Sequence, residues 1–453
     1  MSRALELARA ALETSGEDGE AVALAERSGL ARFAGSEVHQ PTLIDNVVVT
    51  LRVVRDGRAG VATTNRTDAE ALAQLAQRAA EAADSAPADP DFPGLAAPAD
   101  LPSVEGYDTA TAELGPDDQA RLASAAIDAA GDLPVYGFFT SGESELAVVA
   151  STGVTAEQRM TDAMALVVAA DAGRSGYAEQ TAWRVDAIDP ADVAREAAEK
   201  ARRTRGAREL EPGHYRAVLE PYAFADLLEN FASDSFGALG LLEERGFLAG
   251  RMGEQVFDPR ISIADDSLDP RGLPKAFDFE GTPKRRVPLV ARGEACGVVW
   301  DRTTAARADT GAESTGHAPP LALRDWGPLP NALAVDGGEA ESVEQLAELV
   351  GDGIYVTRLH YLSVVQPRDG VITGMTRDGT FRIRDGTIAE PLVNLRFTVS
   401  VPEMLKEVPG LTRAVSLVNA NDFYGERYPR GTLVPAIATT RFNISGVGSG
   451  PGI

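Results

Sequence analysis

The sequence predicts an α+β fold: a duplicated α+β domain over residues 1–210, then a large, mainly antiparallel β domain with a few helices over 211–453. Three observations carry this. One pattern of strand-like runs closed by a helix occurs twice in the first 210 residues. Strand-length apolar or alternating runs dominate the remainder. Asp-Gly pairs punctuate those runs where turns belong.

The opening "MSRALELARAALETSG" mixes charges into its apolar spacing, so it reads as an amphipathic surface helix and not as a secretory leader. The first copy, about 20–86, begins with two strand-like runs, "EAVALAERSG" and "GLARFAGSEVHQ". The hairpin "NVVVTLRVVRDGRAGVATTN" follows, turning at Asp56-Gly57, and the helix "DAEALAQLAQRAAEAA" closes the copy. The second, about 134–205, repeats that order with "VYGFFTSGES", "ELAVVASTGVTAEQRMTD" and "AMALVVAADAGRSGYAEQTAW", closed by "PADVAREAAEKARR". Between them "SAPADPDFPGLAAPADLPS", rich in Pro and Ala, reads as a surface crossing or linker.

A second boundary falls near "TRGARELEPGHY". Beyond it the strand "YRAVLE" leads into the helical stretch "YAFADLLENFASDSF" (222–236). Strand runs then dominate, with Asp-Gly turns predicted at 369–370, 378–379 and 385–386, and short helices at "ESVEQLAELV" and "SVPEMLKEV". An antiparallel sheet of this length is expected to offer an open edge that accepts a peptide as an added strand.

With 68 acidic against 43 basic residues the net charge is −25. Such a surface repels phosphate backbones and argues against nucleic acid as a partner. The single cysteine, Cys296, excludes intrachain disulfides and multi-cysteine metal sites, and is expected as a buried, inert thiol. No run approaches the ~20 apolar residues that span a bilayer. The expected location is cytoplasmic, away from membranes.

Residues 222–236 place Phe224, Leu227, Leu228 and Phe231 on one helical stripe, with Pro221 suited to the first turn. Asp226, Glu229, Asn230, Ser233 and Asp234 fall toward the other side, either as a solvated face or as carboxylates for acid/base or cation chemistry. The four histidines, His39, His214, His317 and His360, are scattered, and no pair has zinc-peptidase spacing. GxSxG, Walker and dinucleotide-binding motifs are absent.

Five segments in order resemble the TldD/PmbA family, also called TldD/TldE: "DPRISIADD" (258–266), "KAFDFEGTPKRRVPLVARGEACGVVWD" (275–301), "STGHA" (314–318), "LPNALAVDGG" (329–338) and the long run 353–397. The duplicated N-terminal half is similar as well. The resemblance implies a two-subunit peptidase acting on extended or unfolded peptides. Its TldD-type subunit carries HExxxH on a helix, with a cysteine near the C-terminus completing the zinc site; the TldE/PmbA-type subunit shares the fold without those ligands. Against that pattern "LLENFASD" occupies the motif position, with Glu229 and Asp234 for the two histidines and Asn230 for the general-base Glu. Asn230 cannot take a proton from metal-bound water. No cysteine stands in "ERYPRGTLVP" (426–435), where the third ligand is expected.

The resemblance thus implies a non-catalytic chain with no metal of its own. It implies zinc in a TldD-type, HExxxH-bearing partner, and a peptide cleft in the C-terminal domain; His317 and Asn331 are the candidates for lining that cleft, with turn stabilisation as their alternative role. The alternatives are a stand-alone hydrolase using Glu229 and Asp234 with His317 or His360, and a scaffold that binds peptides without cutting them.

Overall fold

The computed structural model describes residues 1–308, 310–420 and 425–448. Among these, the N-terminal half forms a six-stranded sheet from β1 (Gly19–Ala34), β2 (Glu37–Arg55), β3 (Arg58–Thr64), β4 (Val135–Ala150), β5 (Thr155–Asp171) and β6 (Arg174–Ala182). The order is β3-β2-β1-β4-β5-β6, antiparallel throughout. The two copies therefore join through β1 and β4, with Ser28 opposite Gly142 and Gly29 opposite Ser141.

The sequence reading divided each copy too finely. In each copy the first run and the start of the second form one strand of 16 residues, β1 and β4, and the second run continues into β2 or β5. Gly29 stood at the division of the first copy's runs, but it is a place of close approach, as is Gly142. A Cβ on Gly142 would lie 2.5 Å from the Ser28 Cβ, and one on Gly29 would strike the Gln119 side chain. A helix also precedes the strands of each copy, at Arg3–Ser15 and Pro116–Ala129. The first is more than a surface helix, because Ala4, Leu5, Ala8 and Ala11 are buried in the core.

Each copy closes with a helix lying directly on its third strand, at Ala69–Ser85 and Pro190–Arg203. Alanines allow the approach, and a glycine beneath each helix permits it: a Cβ on Gly60 would meet the Ala79 carbonyl oxygen at 2.2 Å, and one on Gly176 the Ala197 carbonyl at 2.1 Å. The other face of the sheet is covered too. Val22, Leu24, Leu146 and Val148 pack with Phe277, Phe279 and Leu321 from the C-terminal half. Burial on both faces explains why β1 and β4 read as nearly continuous apolar runs. The proline-rich crossing is tied down: Arg302 Nη2 donates to the carbonyls of Pro93, Gly94 and Leu95, and Thr152 Oγ1 to Ala96.

The C-terminal half forms an eleven-stranded sheet among the described residues. Strands Gly431–Val447, Leu395–Ser400, Val371–Arg384, Gly353–Gln366 and Gly213–Leu219 pair in succession, and the last pairs back onto the first. The closure is partial: Gly353–Gln366 meets Gly213–Leu219 only at Ile354–Val356, and its remainder pairs on one side only, with Val371–Arg384. Strands Gly410–Asn419, Thr387–Leu392 and Glu294–Ala295 lie at the periphery, each touched by an isolated bridge: Ala340–Thr412, Arg208–Leu392 and Gln255–Glu294.

Asp378-Gly379 is no turn. It lies within the strand Val371–Arg384, where the register against Gly353–Gln366 shifts between Val356 and Arg358. Asp378 has a positive φ of 54° and reaches Arg358 at 2.6 Å in a buried ion pair. Cys296 is exposed, not buried, because it follows a two-residue strand whose buried member is Ala295. Among the described residues no helix is long and apolar enough to cross a membrane.

Candidate functional site

The helix Pro221–Ser235 follows the strand Gly213–Leu219 directly, with Pro221 in its first turn. Its stripe of Phe224, Leu227, Leu228 and Phe231 is buried as the spacing predicts. Phe231 meets the ring of Phe236 edge-on at 5.4 Å and that of Phe257 at 6.2 Å, which fixes the rotation of the helix. The polar face is thereby aimed at a cleft of about 260 Å³, whose walls include Glu229, Asn230, Asn331, Arg430 and Thr432.

This face is not simply solvated. Glu229 Oε1 accepts the Thr432 hydroxyl at 2.7 Å, and burial pushes the Glu229 carboxyl up to about 8. Asp226, one helical turn earlier, is raised to about 7 by burial and then by the charge of Glu179. Glu179 comes from β6, is itself raised by burial, and accepts hydrogen bonds from Tyr177 and from the Asn419 main chain. Three carboxylates thus meet where the two halves of the protein join. Two cations act on this group: Arg358, which is held by Asp378, and Arg430, whose charge partly offsets the rise at Glu229. With only partial compensation, protonation is the inexpensive way to bury them.

The three motif positions go to different partners. Glu229 turns to Thr432, Asn230 donates its amide to the Asp226 carbonyl at 2.9 Å, and Asp234 pairs with Arg245. Positions five apart diverge by roughly 140° on a helix. Among the described residues no group of three His, Cys, Asp or Glu is placed to hold a metal ion. The donors at these positions do not fit zinc: no imidazole is among them, and the Glu229 and Asp234 carboxylates are already engaged.

A second cavity of about 250 Å³ adjoins the first, sharing Leu329, Pro330, Asn331 and Arg430, and is mainly apolar, with Leu24, Phe279 and Tyr428 in its walls. Asn331 lines both cavities, and its side-chain oxygen accepts Ser267 Oγ at 3.2 Å. His317 borders the second, but its ring is buried with both nitrogens occupied. Nε2 lies 2.8 Å from Asp265 Oδ1, and Nδ1 lies 2.9 Å from Thr315 Oγ1. The His360 ring lies tilted against that of the exposed Tyr361 and lines neither cavity.

Sequence reasoning missed Glu179, Thr432 and Asp265. Asp226 was visible on the polar face, but its partner Glu179 is distant in sequence, and nothing local links them. Asp265 stands inside "DPRISIADD" with no feature separating it from its acidic neighbour.

Comparison with known proteins agrees with this architecture. Residues 19–83 match the family model described as PmbA/TldA metallopeptidase domain 1, residues 110–205 its central domain and residues 212–446 its C-terminal domain. An uncharacterised protein of Methanocaldococcus jannaschii is 29% identical over 174 residues, 38% of this chain and 40% of that protein. A protein of Methanothermobacter thermautotrophicus named metalloprotease is 26% identical over 231 residues, 49% of this chain and 48% of that one. The matches therefore span less than half the length of either relative. The structure of TldE from Thermococcus kodakarensis superposes with a TM-score of 0.85 at 20% identity, covering 97% of this chain and 99% of that one. A Thermotoga maritima protein described as a modulator of DNA gyrase gives 0.81 at 20% identity, covering 96% and 97%. At such identities the likeness of structures is one of fold. The three family models, in order and together spanning most of the sequence, establish that this chain belongs to the PmbA/TldD metallopeptidase family.

Proposed function

We propose that this chain is a TldE/PmbA-type, non-catalytic subunit of a two-component zinc metallopeptidase of the cytoplasm. It pairs with a TldD-type subunit that bears HExxxH and the zinc, and helps to hold an extended or unfolded peptide. The observation that carries the reading is the fate of the three motif positions. Glu229, Asn230 and Asp234 are each engaged by Thr432, Asp226 and Arg245, and none supplies an imidazole. What remains is a polar cleft continuous with an apolar one, suited to binding side chains along an extended backbone. Pro328 and Pro330 carry no N–H, so strand pairing along that wall would rely on carbonyl acceptors and the Leu329 amide.

The test is the zinc content of the chain purified alone without chelators, by elemental mass spectrometry. The expected value is well below one zinc per chain; close to one tightly held zinc contradicts the reading.

A second reading has one specific observation behind it. Glu229, raised to about 8 inside a cleft, has the protonation behaviour of a general acid. Asp234, the other carboxylate such a hydrolase would use, is paired with Arg245. Peptide cleavage by the partner-free chain that is abolished by Glu229→Gln supports this second reading against the first.

A further inference from the structure

The segment that carries one wall of both cavities is gripped from the N-terminal sheet. Arg427 is only 8% exposed. Its Nε donates to Asp162 Oδ1 at 2.7 Å, Nη2 to Asp162 Oδ2 at 2.8 Å, and Nη1 to Thr140 Oγ1 at 3.1 Å. The main chain of Arg427 is held as well: its N–H donates to Glu26 Oε2 at 2.8 Å, and its carbonyl accepts Ser144 Oγ at 2.7 Å. These partners stand on β1, β4 and β5. On the other flank Glu179, from β6, accepts the N–H of Asn419 at 2.8 Å, just before the cleft residue Ala420.

Immediately beyond Arg427 come the residues that shape the site. Tyr428 packs on Phe279 at 4.9 Å and lines the apolar cavity. Arg430 lines both cavities, and Thr432 donates to Glu229. A planar guanidinium held at two points by one carboxylate fixes orientation as well as distance. Holding the main chain of Arg427 also fixes the register of Tyr428, Arg430 and Thr432.

We infer that Asp162 is a positioning residue for the cleft: through its two-point grip on Arg427 it sets the wall formed by Tyr428, Arg430 and Thr432. The duplicated N-terminal sheet then acts on peptide binding without touching peptide. This rests on the reading of the cleft as a peptide site.

The experiment uses the full chain, with fluorescein-labelled, reduced insulin B chain as an extended-peptide probe. Arg427→Lys keeps the charge and loses the fork; Asp162→Asn keeps the shape and loses the charge. Arg202→Ala, which removes an exposed pair with Asp132, is the control. Each variant is read by probe Kd at a temperature where circular dichroism shows it fully folded, and by amide exchange at Tyr428, Arg430, Gly431 and Thr432 against the centres of β4 and β5.

Both Arg427→Lys and Asp162→Asn are expected to weaken the probe by about tenfold and to accelerate exchange at the four cleft amides by a similar factor. Exchange in β4 and β5 stays as in the parent, and Arg202→Ala changes neither reading. A lowered melting temperature with unchanged exchange at those amides overturns the inference, because the pair would then serve stability alone. Faster exchange with an unchanged Kd overturns it too. If the parent chain does not bind the probe, the peptide-site reading fails, and the exchange comparison still decides whether Asp162 positions this wall.

Discussion

Asp265 ties His317 to Asn331. One carboxylate oxygen lies 2.8 Å from His317 Nε2, and the other accepts the main-chain N–H of Asn331 at 2.7 Å and of Ala332 at 2.9 Å. Burial and the neighbouring Lys284 hold His317 below the ordinary imidazole range, while Asp265 at Nε2 and the Thr315 main-chain carbonyl, 3.0 Å from Nδ1, act in the opposite sense. His317 and Asn331 therefore have different tasks. Asn331 faces the cleft, and His317 supports the carboxylate that holds Asn331 in place.

Removing the charge of Asp265 dismantles that support. Asp265→Asn is expected to lower stability by about 3–5 kcal/mol, the usual cost of breaking a buried charged network from one side. The Asp265 carboxyl is held below its ordinary 3.8, so its contribution is fully present above that pH and is lost as pH falls below it. Urea unfolding at pH 7 and at pH 3 checks both points. The difference between parent and variant should be large at pH 7 and smaller at pH 3.

The Glu229 carboxyl behaves in the opposite sense. Its value rises from 4.5 to about 8 on folding, so the native state holds a proton that the unfolded chain releases. That contribution is fully present below pH 4.5 and declines as pH rises through about 8. Glu229→Gln keeps the hydrogen-bonding shape without the titration. It should flatten part of the alkaline loss of stability, measured by unfolding across pH 5 to about 9. An unchanged pH profile would show that the carboxyl is already ionised in the cleft.

A third expectation concerns the duplicated domain. Gly176→Ala places a methyl against the Ala197 carbonyl, where helix Pro190–Arg203 rests on β6. The helix must lift, at a cost of about 1–3 kcal/mol. Thermal unfolding should show the same loss for Gly60→Ala, its counterpart in the first copy. Gly173→Ala, at a turn where a Cβ meets nothing within 4 Å but φ is 75°, should cost about 1 kcal/mol through backbone strain alone.

The α+β class and the buried stripe of helix Pro221–Ser235 were legible because they rest on short-range periodicity. Strand lengths in the duplicated domain were not. Gly29 carries the same local signal whether the chain turns or a neighbour presses close. Asp378-Gly379 failed for a related reason, since a bulge and a hairpin turn both favour Asp-Gly. In the site, Glu229, Asn230 and Asn331 proved to line one cleft. The contributions of Glu179, Asp265 and Asp162 could not be read, because each works on a partner far away in sequence. The exposure of Cys296 was hidden by the apolar residues around it.

The most direct test is reconstitution. This chain and an HExxxH-bearing family member are purified separately and assayed for cleavage of an unfolded peptide, singly and mixed. The prediction is cleavage by the mixture that exceeds either component and is abolished when the partner's motif glutamate becomes glutamine. It also predicts that Glu229→Gln in this chain leaves the chemistry intact. Robust cleavage by this chain alone would contradict the account.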